Sequence, residues 1–189
     1  MHNKIFAEIS NQLIANIMRH EQFADVMDFL GLRGFKREGE YHYFKESAEL
    51  RGLHRYSINH FNKIIFDKEV PNPKLIPSSW EGATRQQVDD STRKKYVKQM
   101  FLDWKDWECQ AREKYQNWYK QLVADNHIDA ACKVLSLLKD NECEIKHLER
   151  QIIEYDAVGW DMPYIMFKQD EIHSYYEEKT KNDIHVEIN

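Results

Sequence analysis

Only six glycines and four prolines punctuate this chain of 189 residues. That scarcity excludes a turn-rich β architecture and leaves long helices as the default. Cysteine is scarce as well: Cys109, Cys132 and Cys143 are odd in number and include no C-x-x-C pair. No disulfide framework is expected, the three thiols are expected to act as small buried hydrophobes, and a reducing compartment, the cytoplasm, is the expected location. No run of about 18 apolar residues is long enough to span a bilayer, and the opening MHNKIFAEISNQL lacks the apolar region of a signal peptide. Nor is there a surplus of positive charge. Twenty-seven Lys and Arg against 32 Asp and Glu give a net −5 with the signs interleaved, which argues against nucleic-acid or anionic-membrane partners. A glycine-rich phosphate loop and a nucleophilic Ser/His/Asp or Cys/His arrangement are also missing.

What remains is a composition of 42% hydrophobic and 31% charged residues, that of one globular domain able to bury its own core. Four long segments carry helical periodicity. The first runs from Lys4 to Leu30 and is stopped at GLRG, where Gly31 suits a left-handed C-cap. The second runs from Lys36 to Ile65. A long irregular stretch, residues 67–91, holds three of the four prolines and reads as a crossover between parallel neighbours. The third segment starts after the capping signal DDST and ends near Ala124; DNHID then turns the chain into the fourth, which runs to Val158. After GW, Asp161 and Pro163 open a shorter fifth helix over MPYIMFKQDEIHSYYEEK, leaving 180–189 as a polar tail and 1–179 as the helical domain. Helices of about 27 to 33 residues span roughly 40 to 50 Å, a natural size for a four-helix bundle.

Stepping by three and four residues gives each helix an inward seam. Helix one presents Phe6, Ile9, Leu13, Asn16, His20, Phe23, Met27 and Leu30. Helix two presents Phe44, Ser47, Arg51, His54, Ile58 and Phe61, helix three Val97, Phe101, Trp104, Glu108, Ala111, Tyr115, Trp118 and Leu122, and helix four Val134, Leu137, Asn141, Glu144 and Leu148. Every seam is apolar at its ends and polar in the middle, so four helices side by side would share a buried polar layer. Such a layer is either a metal or cofactor site built from facing helices or a closed salt-bridge network, here Arg51 against Glu108 and Glu144. The aromatic run from Trp104 to Tyr119 reads as core and contact surface, and His42, His60 and His173 as surface residues.

The order of two helices, a long crossover, two more helices and a short fifth resembles ferritin, as do the stretches ISNQLIANIM, YFKESAELRGLHRYSINHF and LKDNECEIKHLE. The resemblance implies an all-α, ferritin-like four-helix bundle, iron as cofactor, and self-association into a homo-oligomeric cage of twenty-four copies. Carried over position by position, the di-iron ligands fall on Asn16, Arg51, His54, Glu108, Asn141 and Glu144. His54 and Glu108 are kept, but a fixed cation stands where iron should bridge, as in non-oxidising ferritin chains whose core is closed by a salt bridge. Iron chemistry would then move to the cavity-facing side of helices two and four, where Glu46, Glu49, Asp140, Glu144 and His147 offer oxygen and imidazole ligands. The family's acidic pore positions fall on Ala131 and Val134, leaving His127 and Asp129 as alternative residues beside a pore. The reading from this resemblance is iron storage with oxidation of Fe(II) at surface carboxylates. Its alternatives are a non-redox structural or interaction protein closed by Arg51 and, on the same bundle, an oxygenase or reductase subunit.

Overall fold

The computed structural model describes residues 2–61 and 88–184, which form five helices and no strand. They are α1 (His2–Phe29), α2 (Arg33–Phe61), α3 (Asp90–Ala124), α4 (Ile128–Ala157) and α5 (Met162–Ile184). Most of the crossover, the end of helix two towards Ile65 and residues 185–189 lie outside the described residues. None of the helices is long and apolar enough to cross a membrane.

The breakers act where the sequence puts them. Leu32 N–H donates to the Met27 carbonyl at 2.8 Å across Gly31, whose φ is +79°. The same closure recurs where His127 N–H reaches Leu122 O across Asn126 and where Trp160 N–H reaches Tyr155 O across Gly159. Each tight stop needs a residue tolerant of positive φ and sends the next helix back antiparallel. Asp89 caps α3, its carboxylate accepting from Thr92 N–H at 2.7 Å.

α1 packs on α2 and α3 on α4 as two antiparallel hairpins, with α1 also meeting α3. α5 does not stop after a short turn: it continues to Ile184, through the first residues of the expected tail, and lies parallel to α2. At the start of that contact Gln169 Oε1 accepts from Gly34 N–H and Phe35 N–H at 2.9 and 3.1 Å, satisfying two orphan donors of the α2 N-terminus. The helices meet so closely that a Cβ on Gly34 would lie 2.5 Å from the Gln169 carbonyl oxygen.

The apolar core is in two parts. One packs Phe23, Met27, Phe35, Phe101, Leu148 and Tyr155; the other packs Phe6, Ile9, Leu13, Leu53, Tyr115 and Val134. Between them lie Asn16, His20, His42, Glu46, Glu108, Asn141 and Glu144, all at most 7% exposed. The seams expected for α1, α3 and α4 are buried throughout. That of α2 is not: Phe44 and Ile58 are 39% and 44% exposed and Arg51 is exposed. The true seam runs through Phe35, Glu38, His42, Glu46, Leu53 and Ser57. Over most of its length it lies one position from the expected one, a rotation of about 100°.

Candidate metal centre

The rotation of α2 replaces Arg51 with His42 and Glu46 in the polar layer, so the Arg51 salt-bridge network does not form. His54 is also displaced; its Nε2 lies 3.2 Å from Ser10 Oγ, beside the second apolar cluster. His42, expected on the surface, is 5% exposed at the centre of the bundle. Cys132 and Cys143, expected inside, are exposed, and Cys109 is half-buried. Their positions fall off the seams of α3 and α4, which Glu108, Asn141 and Glu144 occupy.

Three ligand atoms converge in the layer. One each from His20, His42 and Glu144 lie within 4.8 Å of one another. Glu144 Oε1 is 3.1 Å from His42 Nδ1 and 3.8 Å from His20 Nε2, and Glu108 Oε1 is 4.0 Å from His20 Nε2. An ion with bonds of about 2.0–2.2 Å to nitrogen and oxygen sets adjacent donors roughly 3–3.5 Å apart, so small rotations would close these four groups around one ion. Their aim is fixed from outside. Trp104 Nε1 donates to Glu144 Oε1 at 3.1 Å, and the Trp104 ring lies edge-on to both imidazoles, with centroids 5.1 and 5.0 Å away. Asn141 Nδ2 donates to Glu108 Oε2 at 2.6 Å, and Asn16 Nδ2 to Glu46 Oε1 at 3.1 Å.

The layer's unused valences test whether a cation fits. Both nitrogens of His20, Oε2 of Glu46 and Oδ1 of Asn141 are buried without a hydrogen-bond partner, while His42 Nδ1 has Glu144 Oε1 beside it at 3.1 Å. Such groups are costly unless something else ties them down. Burial pushes the His20 imidazole down to about 3, leaving it a neutral ring with a free lone pair at neutral pH. Burial, with Glu49, Glu108 and Glu144 nearby, holds the Glu46 carboxyl well above its ordinary value; burial and Glu144 do the same to Glu108. Burial also works to raise Glu144, but His42, His20 and Lys45 outweigh it and hold that carboxyl low. Two imidazoles, an ionised carboxylate and two further buried carboxyl groups form a donor set suited to a divalent cation.

The other sequence candidates are divided between two places. Glu49 and Asp140 line a cleft of about 500 Å³ between α2, α4 and α5. His147 lies one turn from Glu144, with Nε2 3.2 Å from Glu38 Oε1 and 2.8 Å from the Tyr176 hydroxyl. Tyr176 belongs to α5, which therefore covers part of the α2–α4 face that the sequence reading assigned to an open surface. His20 was legible in the sequence as a seam position, whereas His42 was missed; the signal for it was H-x-x-x-E, His42 and Glu46 one turn apart on one helical face. No family model matches this sequence, nor does any curated protein.

Proposed function

We propose that this protein is a ferritin-like metal-binding protein whose bundle core holds one iron ion through His20, His42 and Glu144, with Glu108 completing the set. The observation that carries the reading is the convergence of three ligand atoms around a histidine with both ring nitrogens buried and unpartnered. Two imidazoles and a carboxylate with open positions are the donor set of non-haem Fe(II) sites, and the two-hairpin order with a long interval between α2 and α3 supports the ferritin-like assignment. Bound there, Fe(II) would supply electrons to dioxygen or peroxide. The chain's part is to hold the ion in a water-poor layer, to orient its ligands through Trp104 and Asn141, and to keep beside it the Glu46 carboxyl, held protonated, as a proton donor. The redox chemistry is thus assigned to the core and not to a surface set of Glu49, Asp140 and His147. Iron storage in a shell would additionally require self-association of many copies.

Two measurements test this. Anaerobic titration of metal-stripped protein with Fe(II) should reach one equivalent per chain in the wild type and fail in His20→Ala and Glu144→Gln; binding unchanged in both variants would refute the site. Gel filtration after Fe(II) is added in air separates the roles. Large particles carrying many irons per chain support storage, whereas a small species with one iron per chain leaves the core site alone.

A further inference from the structure

The route by which an ion reaches so enclosed a layer can be traced through the charges on α2. This inference rests on the metal site just described. We propose that the cleft between α2, α4 and α5 is the path of the divalent cation into the core, with Glu49 as its inner waypoint and the Lys45 ammonium as the resident charge it displaces.

Three observations point to this cleft. First, burial deepens along one line of carboxylates, from half-buried Asp140 on the wall, through Glu49 with a side chain 18% exposed, to Glu46 at 7%. Glu46 and Glu49 are one helical turn apart, so an ion released by one is within reach of the other. Second, Glu46 is anchored by Asn16 through Oε1 alone, while its buried Oε2 has no partner. The inner end of the line therefore has an oxygen to offer. Third, the cleft wall carries a cation suited to yielding its place. Lys45 Nζ approaches Glu49 Oε1 at 3.9 Å, and its charge is sustained jointly by Glu144, Glu49, Asp140 and Glu46. In the metal-free protein it serves as counter-ion to the layer and the waypoint together.

The remaining charges of the cleft are committed elsewhere or balance the waypoint. Lys179 lies over the Tyr41 ring at 4.7 Å, Asp183 accepts from the Tyr41 hydroxyl, and Lys133 acts on Glu49 from α4. A divalent ion and an ammonium cannot both sit among these carboxylates without strong repulsion. The flexible four-carbon stem lets Lys45 swing into the cleft at small cost, so its departure couples loading of the core to a change of charge in the cleft.

Stopped-flow uptake of Co²⁺ by the metal-stripped, full-length chain, followed by visible absorption, tests the path. Lys45→Gln should bind Co²⁺ faster and more tightly, by at least about tenfold. Glu49→Gln should slow uptake by a similar factor while the final spectrum and the stoichiometry of one stay those of the wild type. Asp140→Asn, at a half-buried position that perturbs folding least, should slow uptake in the same direction. Rates within twofold of wild type in all three variants would overturn the path while leaving the site intact, and a changed spectrum in Glu49→Gln would overturn it by making Glu49 a ligand. A wild type that takes up no Co²⁺ would instead overturn the metal site itself.

Discussion

Replacing His20 by Phe should stabilise the metal-free protein while abolishing metal binding. His20 is 1% exposed, and neither ring nitrogen has a hydrogen-bond partner. Each unsatisfied buried polar group costs about 1–3 kcal/mol. Phenylalanine keeps the ring contacts with Trp104 and His42 and removes both polar atoms, but its extra volume returns about 1 kcal/mol as overpacking strain. With each nitrogen at the low end of that range, the net expectation is a gain of about 1 kcal/mol at pH 7.5, read as a higher urea midpoint with an unchanged slope when a chelator is present. The pH dependence has a definite sign. The His20 pKa is about 3 in the fold against 6.5 as its ordinary value, so below pH 6.5 the unfolded chain takes up a proton that the native one refuses. Stability is therefore fully present above pH 6.5 and declines as pH falls towards 3. The variant should lose that component of the acid sensitivity. With metal at a hundred times its dissociation constant the order reverses, because the wild type alone gains about 2.7 kcal/mol. A metal-free variant less stable than wild type by more than about 2 kcal/mol would refute the reasoning, since it would mean that the imidazole nitrogens are already engaged.

Glu46→Gln should stabilise the metal-free protein at pH 7–8 and have little effect at pH 4. Its native carboxyl is held well above the ordinary value, so stability is lost as pH rises from about 4.5 through the native pKa, and a neutral amide avoids that loss; thermal melts at the two pH values check it. Trp104→Phe removes the donor to buried Glu144 and should cost about 2–4 kcal/mol with weaker Co²⁺ binding, measured by urea unfolding and titration. Gln169→Leu strips Gly34 and Phe35 of their acceptor and should cost about 1–2 kcal/mol, with earlier proteolytic cutting in α5 than in α4. Arg51→Ala should change stability by less than about 0.5 kcal/mol, because the side chain is exposed; a loss of 3 kcal/mol or more would put Arg51 back in the core.

Three of the four seams were legible because their apolar ends are strong enough to fix the phase. In α1, Phe6, Ile9 and Leu13 on one side of Asn16 and His20, and Phe23 and Met27 on the other, leave a single choice of face. In α2 the inward face carries Glu38, His42 and Glu46 in succession, and the aromatic and aliphatic residues on the opposite phase, Phe44 and Ile58, are the exposed ones. A rule that turns hydrophobic residues inward must then choose the wrong phase. The same limit hid how α5 packs, though not its existence. No inward seam stands out in its sequence, yet Gln169 is 3% exposed because its Oε1 accepts from two backbone N–H groups of α2, and Tyr176 is 2% exposed because its hydroxyl donates to Glu38.

Both failures have one physical origin, which also links the misread phase to the proposed function. Polar side chains in a helix seam lower the apolar signal that defines the seam, and they are tolerated inside only where partners or a ligand compensate. Glu38 is compensated within the chain, by Gln151, Tyr176 and His147. Glu46, two turns further along the same helix, retains Oε2 without a hydrogen-bond partner, and His42 between them faces Glu144 beside a His20 ring whose two nitrogens are both unpartnered. The first group shows that this fold can satisfy a buried carboxylate completely when only structure is required. The incomplete satisfaction of the second, at the level where His20 and Glu144 also converge, is therefore the more informative departure. It is the arrangement expected where the missing partner is an ion drawn from solution.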